Sequence, residues 1–296
     1  MTTHLARITS GPVSMPVRML LWGVEGCGKS TFAAGAPAPI WIGQELGTGH
    51  LDVVRLPQPA KWDELLAYTR ELQAEKHPYK TLVIDPLGWV EQLVWDAVCE
   101  RNKWPNIEHP GYGKGYVAAL QEWRRLIYEC ERLYLGGMNI LFIGHSRTKA
   151  QRSPDTEDFD RYVVAMNDQA SGLFKQWCDY VLFARYAVWT EKDDKKQTKG
   201  HSSGKRVMHT QWNAAFDAKS RPNLPPVLPL AWDAFVQARA ASSPVEKEAL
   251  RQRVLELIAT CTDKNMAAKA ERFLAEEPDD VLGFIDIERK LVSYAS

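Results

Sequence analysis

The sequence of 296 residues has no net charge, because 37 Lys and Arg residues balance 37 Asp and Glu residues. Without an overall positive field, contacts with nucleic acid or a membrane must come from local patches. The five cysteines are odd in number and form no Cys-x-x-Cys pair, which disfavours a disulfide framework or a zinc site. No signal-peptide pattern and no apolar run of membrane-spanning length occur, so we expect a cytoplasmic protein with no membrane partner.

One stretch matches a phosphate-binding motif. Residues 23–30 fit G-x-x-x-x-G-K-[ST], between an apolar run typical of a buried strand and the predicted first turns of a helix. The glycines allow a sharp turn that points backbone N–H groups at phosphate oxygens. Lys29 is expected to reach the β- and γ-phosphates, and the Ser30 hydroxyl to bind Mg²⁺. The sequence predicts an ATP site formed by Gly23, Val24, Glu25, Gly26, Cys27, Gly28, Lys29, Ser30 and Thr31.

Three further apolar runs are predicted to end in polar side chains. Residues 81–85 form a continuous apolar strand pattern that ends in Asp85, the arrangement of a Walker B aspartate that helps to hold Mg²⁺. Residues 40–42 form a second run, and Glu45 follows just past it. Residues 139–143 predict a third buried strand, with His145 directly after it. His145 is either a sensor of the γ-phosphate or an ordinary hydrogen-bonded loop histidine.

A predicted loop at residues 104–116 alternates glycine with tyrosine around a lysine. Tyr112 and Tyr116 would offer rings for base stacking, and Lys114 a cation for phosphate. The alternative interpretation is a glycine-rich turn with its tyrosines packed on the next helix. Because stacking and charge together bind single strands, all three are candidate nucleic-acid residues.

The second half of the chain contains further candidate elements. Residues 151–169 are polar without a period, which predicts a long loop. Strands predicted at 180–189 and 207–212 are joined by a charged tip, either a solvated hairpin end or a finger that contacts phosphate. Lys219 and Arg221 lie two residues apart, so on an extended segment they would project the same way. They either reach into a neighbouring subunit's nucleotide site or belong to an ordinary basic loop fixed by prolines.

The C-terminal part differs from what precedes it. The segment 241–244, Ala-Ser-Ser-Pro, marks a predicted boundary, and the pattern after it is helical. We therefore expect a core domain over residues 1–242 and a small helical appendage over 243–296. The appendage is mildly acidic, so a role in partner or subunit contact is favoured over binding nucleic acid by charge.

The residues just described carry a resemblance. Residues 40–45, Ile-Trp-Ile-Gly-Gln-Glu, resemble the second core strand of RecA-type ATPases, with Gly43 in place of the usual aspartate. Residues 141–149 resemble the RecA-type strand that ends in Asn-Gln before a basic DNA-binding loop, with His145 in place of the glutamine. Lys219-Ser220-Arg221 resembles the finger pair of RecA-like hexameric helicases. Together, residues 17–235 resemble phage-encoded AAA/RecA-like ATP-binding proteins, including single-strand annealing ATPases of phage recombination.

The resemblance implies an α/β fold: a RecA-like P-loop NTPase core with a mainly parallel central sheet flanked by helices, plus a small C-terminal helical region. It also implies an ATPase that uses ATP and Mg²⁺, self-associates as a ring or filament, and is weak as an isolated subunit. Single-stranded DNA is the expected partner, with a single-strand-binding protein or replication protein as a further one. The expected location is the cytoplasm of a bacterial host.

The resemblance also assigns roles. Glu45 would activate the attacking water, Lys219 and Arg221 would add charge from a neighbouring subunit, and Arg147 and Lys149 would contact DNA. Two other functions stay open. A nucleotide-gated adaptor, such as a helicase loader, would use the helical C-terminal part to bind a protein. A small-molecule P-loop kinase would need an arginine-rich lid, and the 151–169 segment has no convincing lid pattern.

Overall fold

The computed structural model describes residues 11, 13–44, 48–152, 157–192, 198–221, 223–277 and 280–292. The strands, in chain order, are β1 (Arg18–Gly23), β2 (Pro39–Gly43), β3 (Val54–Arg55), β4 (Thr81–Asp85), β5 (Asn139–Gln151), β6 (Phe159–Val164), β7 (Tyr180–Lys192), β8 (Thr198–His209), β9 (Lys219–Ser220) and β10 (Val227–Pro229). The helices are α1 (Lys29–Ala34), α2 (Trp62–Ala74), α3 (Leu87–Asn102), α4 (Lys114–Leu135), α5 (Asp168–Trp177), α6 (Trp232–Ser242), α7 (Pro244–Thr260), α8 (Lys264–Glu276) and α9 (Val281–Val292).

The strands form one twisted layer whose order is β10-β8-β7-β1-β5-β4-β2-β3, with β6 beside β5 and β9 beside β7. The strands from β7 through to β3 in this order are parallel to their neighbours. The additions β6, β8, β9 and β10 are antiparallel. This is the predicted α/β fold, the mainly parallel, helix-flanked sheet of a RecA-like P-loop NTPase core.

Both faces of the central strands are buried, as expected for parallel sheets covered by helices. In β1, Leu20 and Trp22 contribute to the large core on one face, where Trp123 packs edge-on against Trp62 with ring centroids 5.9 Å apart. On the other strand face, Met19 and Leu21 are also fully buried. A continuous apolar strand is therefore stable only in the middle of this sheet, where both of its faces are covered. In that position the end of the strand lies beside the ends of the neighbouring strands.

The prediction of a long loop at residues 151–169 is wrong for much of the segment. Strand β5 continues to Gln151 and pairs with β6 in an antiparallel hairpin, in which Ser146 lies opposite Val164. The ring of Tyr162 packs on Phe183 with centroids 5.1 Å apart, so distant contacts stabilise a strand with little local signal. The described part of the segment therefore consists mainly of paired strand rather than a long loop.

Two other predicted boundaries shift. Helix α4 begins at Lys114, so Lys114 and Tyr116 lie in its first turn instead of a loop. The strand predicted at 207–212 is β8, which begins nine residues earlier in the chain, at Thr198, and ends at His209. Helix α5 follows, and its N-terminus is capped by the Asn167 side chain, which accepts from two backbone N–H groups.

The structure divides into two compact units, residues 16–235 and residues 1–15 with 236–296. In the second unit the helical pattern expected near the C-terminus is present as α7, α8 and α9, which pack around Leu250, Val254 and Phe284. The Arg239 guanidinium binds Glu246 at 2.7 Å there. Within the described residues, no helix combines the length and apolar character needed to cross a membrane.

Candidate nucleotide site

The phosphate-binding motif lies at the carboxyl edge of the central strands. The last residue of β1, Gly23, pairs with His145 of β5 on one side and with Ala184 of β7 on the other. The Val24 N–H donates to the Ala184 carbonyl at 3.0 Å, and α1 begins at Lys29. The loop therefore connects a fixed strand end to a helix N-terminus, the geometry that binds phosphate in this class of fold.

A cavity of about 340 Å³ opens beside this loop. It brings together candidate residues from three parts of the sequence: Lys29 and Ser30 from the loop, Asp85 from the end of β4, and His145 from β5. Gly26, Gly28 and Thr31 also line it, whereas Cys27 is fully buried and the Glu25 side chain is mostly exposed. Gln44, just after β2, completes one wall, and Glu45 lies outside the described residues.

Ser30 and Asp85 form the candidate Mg²⁺ site. The Ser30 hydroxyl donates to Asp85 Oδ2 at 2.7 Å, and burial raises the pKa of this carboxyl group. No cluster of three or more His, Cys, Asp or Glu side chains suited to a metal occurs in the described part of the chain. One carboxylate and one hydroxyl fit Mg²⁺, which keeps several waters and takes most remaining ligands from substrate phosphates.

Lys29 is the buried cation of the cavity, with 5% of its surface exposed. Its ammonium group donates to the carbonyls of Gly23 at 3.1 Å and Val24 at 2.8 Å, which fixes its direction. Burial lowers the pKa of Lys29, while nearby Cys27 and Asp85 act in the opposite direction. An ammonium group has three N–H donors, so one remains for a phosphate oxygen.

His145 faces the same cavity from β5 and is half-buried. Its Nδ1 lies 4.0 Å from Glu25 Oε1. Burial, followed by the positive charge of Lys29, lowers the pKa of His145, so the neutral ring predominates at pH 7. A neutral imidazole can hydrogen-bond a phosphate oxygen through one N–H, which suits a sensing role better than a fixed charge does.

The cavity is also lined by Thr48 and His50, two residues that sequence reasoning missed. Arg55 holds this segment: its guanidinium donates to Thr48 Oγ1 at 2.8 Å, to the Leu51 carbonyl at 2.6 Å and also to the Thr48 carbonyl. Arg206 of β8 was also missed, and it lines the cavity beside the phosphate loop. Neither arginine belongs to a local sequence motif. Each reaches the region of the cavity because its strand pairs with another segment of the chain.

The candidate nucleic-acid residues near α4 separate into two groups. Tyr112 is completely exposed, and Lys114 is exposed beside it. Tyr116 instead packs edge-on against Trp95 with centroids 5.6 Å apart, and its hydroxyl donates to Glu108 Oε1 at 3.1 Å. None of the three is among the described residues that line the nucleotide cavity.

Arg147 and Lys149 lie on the extension of β5 beyond the cavity. Both bind Asp168, the first residue of α5: Arg147 Nη2 is 3.2 Å from Asp168 Oδ1, and Lys149 contacts Oδ2. The Lys149 ammonium holds the pKa of Asp168 below its usual range. Alternate residues of a strand share a face, so His145, Arg147 and Lys149 lie on one side of β5.

Lys219 and Arg221 lie away from the cavity of their own chain. Lys219 pairs with Val181, near the start of β7, whereas the phosphate loop contacts β7 at Ala184. Arg221 Nε is 2.7 Å from Asp179 Oδ1, with most of its side chain exposed. The structure thus brings Lys29, Ser30, Asp85 and His145 together and leaves this pair on another part of the surface.

Comparison with known proteins gives one family. A family model described as an AAA domain matches residues 15–222, which covers the strands and loops that form the cavity. No curated protein matches the chain. The matched range includes the phosphate loop, Asp85 and His145, so the family assignment and the site geometry agree on the same part of the molecule.

Proposed function

The chain belongs to the AAA-domain family of P-loop ATPases, and from this premise we propose that it binds and hydrolyses ATP with Mg²⁺ and couples nucleotide state to single-stranded DNA. The proposed setting is phage recombination, with self-association into a ring or filament and a single-strand-binding or replication protein as a further partner. The observation that carries the proposal is that His145, Arg147 and Lys149 lie on one face of β5. His145 lines the nucleotide cavity, and the two cations lie further along the same strand, outside it.

The chemistry follows from the charges around the cavity. Lys29 and the loop amides would stabilise negative charge on the transferred phosphoryl group. Ser30 and Asp85 would hold Mg²⁺, and the metal would supply further positive charge beside the phosphate oxygens. Glu45, which follows the end of β2, is the proposed base for the attacking water. Lys219 and Arg221 are proposed to complete the site of a neighbouring subunit.

The proposed coupling uses the stiffness of a paired strand. Successive residues of a strand advance about 3.3 Å, so Arg147 and Lys149 lie roughly 7 and 13 Å along β5 from His145. A shift of His145 towards the γ-phosphate is therefore transmitted to both cations through one continuous strand. Tyr112 and Lys114 add an exposed ring and a charge elsewhere on the surface for base stacking and phosphate contact.

The test measures the affinity for a labelled oligo-dT without nucleotide, with ADP, and with a non-hydrolysable ATP analogue. We expect about a tenfold difference between the two nucleotides, which corresponds to ~1.4 kcal/mol of coupling. Arg147→Ala and Lys149→Ala should each weaken binding and lower the salt slope by about 1. Arg124→Ala, an exposed change on α4, is the control. Equal affinity in all nucleotide states would contradict coupling.

A second candidate function is a nucleotide-gated adaptor that acts on a protein partner. It is favoured by the helices α7, α8 and α9, which form a core of their own within a separate compact unit. Removal of residues 245–296 should then abolish partner binding and spare ATP binding. If the truncated chain keeps its partner and loses DNA instead, the adaptor function is wrong.

A further inference from the structure

The hairpin of β7 and β8 contacts the phosphate loop directly. The Tyr186 hydroxyl donates to the Gly26 carbonyl at 2.9 Å. Tyr186 pairs with Arg206 across the hairpin, and the Arg206 guanidinium carbon lies 6.0 Å from the centre of the tyrosine ring. Directly paired residues project from the same face of a sheet, so the loop contact of Tyr186 also fixes the side on which Arg206 lies.

Arg206 lies against the backbone of Gly28, the residue before Lys29. A Cβ atom built on Gly28 would stand 2.9 Å from Arg206 Nη1 and 3.3 Å from Cδ. Gly28 also has a φ of +100°, a conformation that favours glycine. The turn favours glycine at position 28, and the Arg206 side chain occupies the space that a Cβ atom there would take.

The charge of Arg206 is directed at an anion site. Arg206 lines the cavity that also contains Lys29, Ser30 and Asp85. Across the parts of the chain that the structure describes, no carboxylate forms an ion pair with Arg206, and the carboxylate of the cavity wall, Asp85, is hydrogen-bonded to Ser30. A guanidinium group matches phosphate oxygens with two parallel N–H donors, which suits it to a nucleotide phosphate.

We propose that Arg206 is a phosphate-binding residue of the nucleotide site, supplied by the same chain, and that Tyr186 is the residue that positions it. The inference rests on the proposed ATP function and adds a ligand that the phosphate-loop motif does not contain. It differs from the role given to Lys219 and Arg221, because Arg206 already lies at the loop of its own subunit. The β7–β8 hairpin thereby becomes part of the nucleotide site.

The experiment measures binding of a fluorescent ATP analogue and of ADP, and the rate of phosphate release, in the full-length protein. We expect Arg206→Ala and Arg206→Gln to weaken nucleotide binding roughly 10- to 100-fold, with Arg206→Lys intermediate. Lys205→Ala is the matched control, because it removes the same charge one residue away, at a side chain that does not line the cavity. Its binding should stay within about twofold of wild type.

Tyr186 is tested through its coupling to Arg206. Tyr186→Phe removes the hydroxyl that binds Gly26 and should weaken ATP binding in the wild-type background, but not further in Arg206→Ala. A purely structural role for the hydroxyl would give equal losses in both backgrounds, which would overturn the positioning role. Thermal unfolding of each variant identifies any loss that comes from misfolding.

Two results would overturn the assignment of Arg206. One is nucleotide binding and turnover by Arg206→Ala within twofold of wild type, or no weaker than in Lys205→Ala. The other is recovered activity when Arg206→Ala is mixed with Lys29→Ala, because a same-chain residue cannot be replaced by a neighbour. If wild type itself binds no ATP, the proposed function fails. If wild type binds ATP and Arg206→Ala does too, only this inference fails.

Discussion

The Ser30 hydroxyl donates to Asp85 Oδ2 at 2.7 Å although 55 residues separate the two in the chain. The contact exists because β1 and β4 both flank β5 and end at the same edge of the sheet. The fold itself thus holds a hydroxyl from the phosphate loop next to a carboxylate from a second strand, without help from a ligand. This pair defines where Mg²⁺ and the terminal phosphates are expected.

Asp85→Asn separates activity from stability. Asn keeps an acceptor for the Ser30 hydroxyl but loses the charge that Mg²⁺ needs, so Mg²⁺-dependent phosphate release should fall roughly 100-fold or more. Burial raises the pKa of Asp85, so as pH rises from the normal to the raised pKa the unfolded chain loses a proton that the folded chain keeps, and the folded state loses stability. Above the raised pKa this loss is complete and stays constant. At pH 7 the variant should therefore have a higher Tm. A fall in Tm together with normal turnover would contradict both roles.

Arg55→Lys tests the segment that forms one wall of the cavity. Lys keeps the charge but cannot span Thr48 and Leu51 with a planar fork. We expect ATP affinity to fall about tenfold, with ~1–3 kcal/mol lost from the local opening free energy of residues 48–53. Titration with a fluorescent nucleotide and hydrogen exchange of this segment measure the two effects. Arg70→Lys, at a half-exposed arginine that pairs with buried Glu129 and does not line the cavity, is the control and should change neither.

Asp168→Asn tests whether the cations of β5 are held back from nucleic acid. The substitution frees Arg147 and Lys149 from their carboxylate partner, so single-strand affinity should rise and the salt slope should steepen by about 1 to 2. Asp160→Asn makes the same charge change at an exposed position of the same hairpin. Equal gains in the two variants would indicate a general charge effect, and no gain in Asp168→Asn would contradict competition for the two cations.

The parts of the site that sequence reasoning found are those with a local signature. The loop before Lys29 is a contiguous motif, and Asp85 ends a continuous apolar run. The absence of the usual aspartate at position 43 has a structural reason, since a Cβ on Gly43 would lie 2.1 Å from the Asp85 carbonyl. Strand β2 approaches β4 too closely there for any side chain.

The parts that were missed depend on pairing between distant segments. Strand β6 mixes polar and apolar residues, and it forms because Tyr162 reaches Phe183 and Arg161 reaches Asp217. Arg206 is placed only when β8 pairs with β7, 20 residues earlier in the chain at Tyr186. Edge strands and side chains that reach across a hairpin carry little periodic signal, so composition and spacing alone do not identify them.

His209 should make the fold sensitive to mild acid. Arg185 Nε donates to His209 Nε2 at 3.0 Å, and burial together with this guanidinium lowers the pKa of His209 to about 4. As pH falls from about 6.5 towards 4, the unfolded chain takes up a proton that the folded one does not, so stability decreases, by at most ~1.4 kcal/mol per pH unit from this residue. His209→Gln should flatten the Tm profile in that window, while His109→Gln, at an exposed site, should leave it as steep as in wild type.

Lys219 and Arg221 test whether a neighbouring subunit completes the site. Arg221 is ion-paired with Asp179, which Arg18 also binds through two N–H groups, so Arg221→Ala should leave the local fold intact. If the pair acts in trans, each alanine variant should lose turnover by a factor of about 10³ or more in the assembled form. Mixing either variant with Lys29→Ala should restore activity, because some interfaces then join an intact phosphate loop to an intact finger. No recovery on mixing, or equal turnover by wild type at high and low protein concentration, would show that each chain works alone.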